Sequence, residues 1–349
     1  MTMTITLSQH QELGLYRDGF VVLRKAIDDS MVRRARRKLY VSLGALSSRA
    51  LSVARRADLD KSIASAKALG RDPDILNLFN ETALKRILGS LLGASLEPIQ
   101  RAQVATNFPQ GENDIVNESG YPVKDTPHNG WCGHLDGLWN GASRVPAIDA
   151  VLSPYRRSRW YRDPSTNGCY RTYPGTNSNL QNFTALVGIA LSDQLVEGAG
   201  NLGVLRGAHK KMGEFFQAQR KAGGPLGPDG PGWPRENKSA PNGHGLRHYP
   251  DAIRQAFSGQ AVTTRDGQLW PKPTLLKMKA GDAVIIHYAT PHAATKVIEP
   301  DPRFMIYFRI TSSCRQENQL MVFPEALCDI WLEWPGMQAT VAEQETKSS

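Results

Sequence analysis

The 349-residue sequence has few cysteines and no long apolar run. Its four cysteines are far apart and form no Cys-x-x-Cys pair, which argues against a disulfide framework and against a structural zinc site. No apolar run approaches the roughly 20 residues that a membrane-spanning helix needs, and the first residues lack the basic flank and apolar core of a secretory signal. We therefore expect a cytoplasmic protein with reduced thiols and no membrane partner.

Acidic residues are also in deficit, with 33 against 42 basic ones and a formal net charge of +9. Much of this excess lies on a predicted early helix whose other face is apolar, with Val32, Ala35 and Leu39. We interpret the charge as a solvated basic face. Because neither a nucleic-acid-binding motif nor a set of interleaved aromatic residues accompanies it, we expect no nucleic-acid partner.

The hydrophobic pattern changes near residue 95. Before this point it predicts helices, with one short strand at 20–23, a helix capped by Asp29 or Ser30, and a second helix that begins at Asp72-Pro73 and ends at Gly93. After it, short β-like runs are separated by Gly, Pro and Asn, a spacing typical of an all-β barrel or sandwich. The predicted strands are 99–108, 182–191, 201–206, 273–279, 283–288, 292–298 and 303–312.

The segment His134-Leu135-Asp136 is the first candidate for a chemical site. Residues two apart in an extended segment project to one face, so both side chains can bind one metal ion. A third ligand can come from His292, which follows the Gly281-Asp282 turn and an apolar strand. Two histidines and one carboxylate leave coordination positions open, as in non-haem Fe(II) oxygenases. The competing interpretation is a pair of unconnected histidines with local hydrogen bonds.

Further motifs follow His134-Leu135-Asp136 along the chain. They are an apolar strand ending in Ser192-Asp193, a glycine-rich segment over 198–210, the Gly281-Asp282 turn, His292 and Arg303. In this order and content, residues from about 97 to 312 resemble the phytanoyl-CoA dioxygenase-like family of Fe(II)/2-oxoglutarate-dependent oxygenases. The stretch between Asp136 and His292 is longer than in compact members of that family.

The resemblance implies a single domain over 1–349, mainly β with flanking helices, whose core is a double-stranded β-helix, the cupin-like jelly roll. Residues 1–95 form a helical buttress in this prediction, 96–312 form the core with insertions at 140–180 and 219–260, and 313–349 form a C-terminal segment. The resemblance also implies that His134, Asp136 and His292 bind Fe(II), with 2-oxoglutarate as cosubstrate and O2 as oxidant.

By the same resemblance, Arg303 binds the distal carboxylate of 2-oxoglutarate, since a guanidinium can bind a carboxylate through two hydrogen bonds. The alternative is Arg309, which we expect on the opposite face of the same strand. Gln103 and Asn107 are similar to the Gln-x-x-x-Asn pattern that holds the cosubstrate in the ectoine-hydroxylase branch; otherwise they satisfy backbone groups at a strand end. Thr184 is a further candidate for a hydroxyl at the cosubstrate.

The implied activity is that of an Fe(II)/2-oxoglutarate-dependent dioxygenase acting on a small molecule, which the insertions lead us to expect in specialised metabolism. Asp136 favours hydroxylation, desaturation or ring formation, because related halogenases have a small residue at this position. The alternative from another class is a cupin-like metal-dependent binding protein or a non-oxidative metalloenzyme. The sequence identifies neither the substrate nor the oligomeric state.

Overall fold

The computed structural model describes residues 6–44, 63–93, 95–116, 121–136, 161–163, 168–170, 182–223, 226–228, 230–234, 249–315 and 324–348. Of the two predicted insertions, 140–180 lies outside the described residues except for two short strands, and 219–260 lies outside them in part.

The chain enters the main sheet through a helix and a tight turn. Helix α1 (Gln9–Asp18) ends at Gly19, whose φ of 79° lies in the left-handed region that glycine adopts without strain. A Cβ at this position would lie 2.4 Å from the Thr290 hydroxyl and 2.6 Å from Nδ1 of His209. Only glycine therefore fits between α1 and strand β1 (Phe20–Leu23).

Helix α2 (Asp29–Ser42) carries the basic face predicted from the sequence. Its cap is Asp28, so the prediction of Asp29 or Ser30 was wrong. Asp28 has the extended backbone of a cap, and its carboxylate accepts a hydrogen bond from the backbone N–H of Ser30 at 2.7 Å.

The single helix predicted to end at Gly93 is two helices, α3 (Pro73–Asn80) and α4 (Ala83–Leu91). The break lies at Thr82, whose backbone is extended and whose hydroxyl donates to the carbonyl of Leu78 at 3.0 Å. This bond supplies a local alternative to the helical hydrogen-bond pattern, as threonine often does. The predicted start was correct, because the side chain of Asp72 caps α3.

Antiparallel strands form the rest of the described core. The strands after β1 are β2 (Gln103–Asn107), β3 (Tyr161–Asp163), β4 (Gly168–Tyr170), β5 (Ala185–Ala190), β6 (Leu202–Val204), β7 (Val262–Thr263), β8 (Leu269–Trp270), β9 (Thr274–Leu276), β10 (Ala283–His287), β11 (His292–Ala294) and β12 (Arg303–Ile310). One five-stranded sheet has the order β1-β10-β5-β12-β2, and a three-stranded sheet has the order β11-β6-β9. Every strand predicted from the hydrophobic pattern is present; β1 has the predicted bounds, and the others are shorter than predicted.

The two faces of β12 contact different parts of the protein. Phe304 and Phe308 point towards the N-terminal helices, where Phe308 stacks on Phe79 with ring centroids 5.3 Å apart. Arg303 and Tyr307 alternate with them and line a cavity on the other face. The sheet is therefore apolar towards the helices and polar towards the cavity.

Further helices are α5 (Ala208–Ala222), α6 (Asp251–Ala256), α7 (Pro324–Cys328) and α8 (Gln338–Ser348). A buried ion pair between Arg315 and Glu333 attaches the C-terminal segment to the end of the main sheet. None of the helices in the described ranges has both the length and the apolarity needed to cross a membrane. The cytoplasmic location stays a prediction.

Candidate metal centre

Backbone pairing brings His134 and His292 together although 158 positions separate them in the chain. The N–H of His134 donates to the carbonyl of His292 at 3.0 Å, and the N–H of His292 donates back to the carbonyl of His134 at 2.9 Å. Strand β11 thereby aligns the two imidazoles on neighbouring segments, with ring centroids 5.0 Å apart.

The three predicted ligands form one cluster. Nε2 of His134 lies 3.8 Å from Oδ1 of Asp136, and Nε2 of His292 lies 3.8 Å from Oδ2 of the same carboxylate. One ligand atom from each residue lies within 4.8 Å of the others, so the three can hold a single metal ion. The donor set of two imidazoles and one carboxylate suits a divalent first-row transition metal with open coordination positions.

A hydrogen bond fixes which nitrogen of His292 faces the cluster. Nδ1 lies 2.9 Å from the carbonyl of Thr290, which can only accept, so Nδ1 carries the proton and Nε2 is left as a ligand atom. His287 is different, because its Nε2 donates to the carbonyl of Ile330 and its Nδ1 accepts from the N–H of Ala289. Both ring nitrogens of His287 are engaged, so it has none left for a metal.

The electrostatics of the cavity keep His134 and Asp136 in the protonation states that a metal ligand needs. Burial, followed by the nearby His292, lowers the pKa of His134 from 6.5 to about 4, against an opposing effect of Asp136. Burial also raises the pKa of Asp136, but His292, His134 and Arg309 outweigh it, and the net pKa is lowered. At neutral pH the cluster therefore consists of a neutral His134 imidazole beside an ionised carboxylate.

A buried tryptophan shapes the segment that carries His134. The indole N–H of Trp131 donates to the carbonyl of Gly203 at 3.0 Å, which attaches the segment to β6. A Cβ on Gly133, whose φ is 68°, would lie 2.5 Å from the Trp131 ring. Glycine at position 133 lets the backbone fold over the indole and deliver His134 to β11.

A cavity of about 210 Å³ surrounds the cluster and brings together six of the seven predicted site residues. These are Gln103, Asn107, His134, Asp136, His292 and Arg303. The register of the main sheet explains the grouping, because Arg303 pairs with Asn107 and Tyr307 pairs with Gln103 across β12 and β2. Directly opposite residues in an antiparallel pair project to the same face.

Arg303 is a buried cation without a described acidic partner. Its exposed fraction is 1%, and its guanidinium donates to the hydroxyl of Tyr307 and to Oε1 of Gln194. Neither acceptor carries a negative charge. Because a buried charge is costly unless it is paired, the geometry leaves a place for an anion at Arg303.

The structure does not bring Thr184 to this cavity. Its hydroxyl donates to Glu333 at 2.8 Å and accepts from the backbone N–H of Ser312 at 2.9 Å, in the network around Arg315. Thr184 lies at the end of β5 that the C-terminal segment covers. The expectation that it contacts the cosubstrate is therefore withdrawn.

The structure also corrects the placement of Arg309 and adds two residues. Arg309 lines the same cavity as Arg303, because residues six apart in a strand share a face, and its guanidinium donates to Oδ2 of Asp136 at 3.3 Å. Tyr307 and Lys296 also line the cavity and were missed. The alternation of β12 could have identified Tyr307. The predicted strand 292–298 gave the same signal for Lys296, which lies four positions after His292.

No protein-family model matches the sequence, and no curated protein matches it. Solved structures are similar over most of the chain. A non-haem α-ketoglutarate-dependent carbocyclase, SnoK, from nogalamycin biosynthesis is 13% identical and covers 92% of this chain and 97% of its own, with a TM-score of 0.41. HygX from Streptomyces hygroscopicus, with nickel and 2-oxoglutarate bound, is 13% identical and covers 87% and 86%, with a TM-score of 0.37. Similarity at this level does not identify an activity for this chain.

Proposed function

We propose that the chain is an Fe(II)/2-oxoglutarate-dependent dioxygenase that hydroxylates a small molecule, in the manner of the phytanoyl-CoA dioxygenase-like family. The observation that carries the proposal is the presence of two complementary features in one cavity. Three clustered ligands, His134, Asp136 and His292, suit a ferrous ion. Arg303, buried in the same cavity without a described counter-charge, suits the distal carboxylate of the cosubstrate.

The residues of the site have separable roles in this proposal. His134, Asp136 and His292 would hold the metal ion, and the cosubstrate and O2 would bind beside them. Arg303 orients 2-oxoglutarate, and Gln103 and Asn107 offer amide groups from the facing strand. When bound, iron and 2-oxoglutarate supply the oxidising chemistry, in which 2-oxoglutarate is converted to succinate and CO2.

Asp136 has a further consequence for the outcome of the reaction. Its carboxylate would be one of the three metal ligands, and Arg309 donates a hydrogen bond to Oδ2 of this carboxylate at 3.3 Å. Hydroxylation, with desaturation or ring formation as variants, is consistent with this full ligand set. A halide ion could bind the metal only if the ligand carboxylate were missing, and Asp136 supplies that carboxylate.

The proposal extends to the fold. A double-stranded β-helix would be built from the main sheet and the β11-β6-β9 sheet, which enclose the cavity from two sides. The N-terminal helices would support the outer face of the main sheet, and the whole chain would be one domain.

The test measures succinate formed from 2-oxoglutarate in air after the protein is loaded with Fe(II). The expected result is slow succinate formation even without substrate, abolished in His292→Ala and retained in His10→Ala, which removes an exposed histidine. Absence of succinate, together with absence of 2-oxoglutarate binding to Mn(II)-loaded protein, would favour the cupin-like binding protein.

The two arginines provide the second test. At saturating Mn(II), Arg303→Gln should weaken 2-oxoglutarate binding by about 10- to 100-fold, because a hydrogen bond to a charged group contributes about 1.5–3 kcal/mol. Arg309→Gln should leave that affinity within about threefold, since Arg309 is directed at Asp136. The reverse pattern would assign the cosubstrate to Arg309.

A further inference from the structure

A groove of about 650 Å³ adjoins the metal cavity and shares part of its wall. Gln103, Tyr307 and Arg309 line both spaces. The other residues of the groove are Lys67, Arg101, Ala102 and Val104, of which Lys67 and Arg101 are charged. We call it the cationic groove, defined by Lys67, Arg101, Gln103, Tyr307 and Arg309.

A close backbone contact builds this groove. The N–H of Ala102 donates to the carbonyl of Gly70 at 2.7 Å, which docks the helical turn Leu69–Arg71 against the start of β2. A Cβ on Gly70 would lie 2.3 Å from the carbonyl oxygen of Ala102. Only glycine permits this approach, and the approach places Lys67 and Arg101 around the same space.

The charge of the groove is of one sign. It contains the cations Lys67, Arg101 and Arg309 and no acidic residue among its described lining. Arg309 is paired with Asp136, whereas neither Lys67 nor Arg101 forms an ion pair with an acidic side chain of the described ranges. Nearby basic residues, in contrast, form ion pairs. Nζ of Lys38 lies 3.2 Å from Oδ2 of Asp72, and Nε of Arg34 lies 3.6 Å from Oδ1 of Asp74.

We propose that the cationic groove binds an anionic group of the substrate, a carboxylate or a phosphate ester. Lys67 and Arg101 would contact the anion, and the rest of the substrate would pass Gln103 and Tyr307 to reach the metal cavity. The reaction at the metal rests on the proposed function, but anion binding by Lys67 and Arg101 does not. Lysine and arginine pair with both kinds of anion, so the groove alone does not select between them.

The first experiment measures binding to the metal-free protein by ligand-observed NMR. The probes are phenyl phosphate, benzoate and neutral benzamide. Phenyl phosphate or benzoate should bind saturably and benzamide should not. Binding should weaken about tenfold in the Lys67→Gln, Arg101→Gln double variant. The control, Arg86→Gln with Arg265→Gln, loses the same charge at exposed positions outside both spaces and should bind like the wild type.

The anion that binds more tightly identifies the source: phenyl phosphate indicates a phosphate ester, and benzoate indicates a carboxylate. Equal binding of benzamide, or binding that the double variant leaves unchanged, would overturn the proposal. Because no metal is present, either result stands whether or not the protein forms succinate.

A second measurement tests whether the groove leads to the metal. In Mn(II)-loaded protein, the paramagnetic ion should accelerate relaxation of the bound probe, and the effect should disappear in the groove double variant. A probe that binds in the groove without this relaxation would show that the groove is separate from the metal cavity, which would overturn its assignment to the substrate.

Discussion

Acid should destabilise the protein through His209, which is fully buried at the start of α5. Its Nε2 donates to the carbonyl of Tyr16 at 2.9 Å, and its Nδ1 has no hydrogen-bond partner among the described residues. Burial lowers the pKa of His209 from 6.5 to about 4. The charge of Lys210 contributes to this net shift in pKa, while the bond to Tyr16 and the charge of Asp18 oppose it.

The direction of the change in unfolding free energy with pH follows from which state, folded or unfolded, binds the proton first as the pH falls. The unfolded chain protonates His209 near pH 6.5, and the folded protein does so only near pH 4. Between these values the unfolded state holds more protons, so the free energy of unfolding falls as the pH falls. At 1.36 kcal/mol per pKa unit, this one group costs about 2 kcal/mol by pH 5 and about 3 kcal/mol by pH 4.

The assay is urea unfolding of metal-free protein at several pH values from about 7.5 to about 5, for the wild type and His209→Gln. The glutamine amide can donate to Tyr16 in place of Nε2 and does not titrate. The variant should lose about 2 kcal/mol less than the wild type over this range. His134 and His287 titrate in both proteins and cancel in the comparison.

Equal pH slopes for the wild type and His209→Gln would refute the reasoning, whatever the variant's stability at neutral pH. His10→Gln is the matched control, because His10 is exposed. Its slope should equal that of the wild type. A shallower slope in the control would assign the effect to net charge rather than to burial.

Three further predictions concern the ion pairs and the cavity. Arg315→Leu should lower the free energy of unfolding by about 3 kcal/mol, because Glu333 stays buried without its partner. In the same urea assay, Arg220→Leu, which breaks an exposed pair with Glu325, should cost less than about 1 kcal/mol, and equal losses would contradict the argument. Gly188→Ala should weaken 2-oxoglutarate binding but not Mn(II) binding, because the added Cβ would lie 2.9 Å from the Tyr307 ring. Calorimetry with each ligand checks this, and an equal loss of affinity for 2-oxoglutarate and for Mn(II) would contradict it. Arg309→Gln should weaken Mn(II) binding by about tenfold, because Asp136 loses the hydrogen bond that orients it, and an unchanged affinity in an electron paramagnetic resonance titration would show that the bond is incidental.

The strands were predictable because their local pattern matches their burial. β5 and β10 are buried throughout and appear in the sequence as continuous apolar runs bounded by polar or glycine residues. The helix ends were less predictable. Asp28 and Asp29 are the same residue type, so composition does not show which one adopts the extended backbone of a cap.

Some residues of the candidate site could likewise be predicted from the sequence, and others could not. His134, Asp136 and His292 could be grouped as candidate ligands because their residue types and spacing allow metal ligation, and Arg303, Asn107 and Gln103 were added from a resemblance. Thr184 could not be placed, because its partners Ser312 and Glu333 are distant in sequence and cover one end of β5. A strand pattern predicts which face a side chain takes, but not which segment covers that face.

Strand β12 links the stability of the helical layer to the geometry of the site. Phe304 and Phe308 are fixed by packing against Tyr40 and Phe79, with ring centroids 5.7 and 5.3 Å apart. Arg303, Tyr307 and Arg309 lie on the other face of the same strand. They line the cavity around the three candidate ligands, and Tyr307 and Arg309 also line the adjoining groove. Because the side-chain period of a strand is two, a one-residue shift of register would turn these polar residues away from the cavity. The packing on one face therefore sets the register that the chemistry on the other face requires.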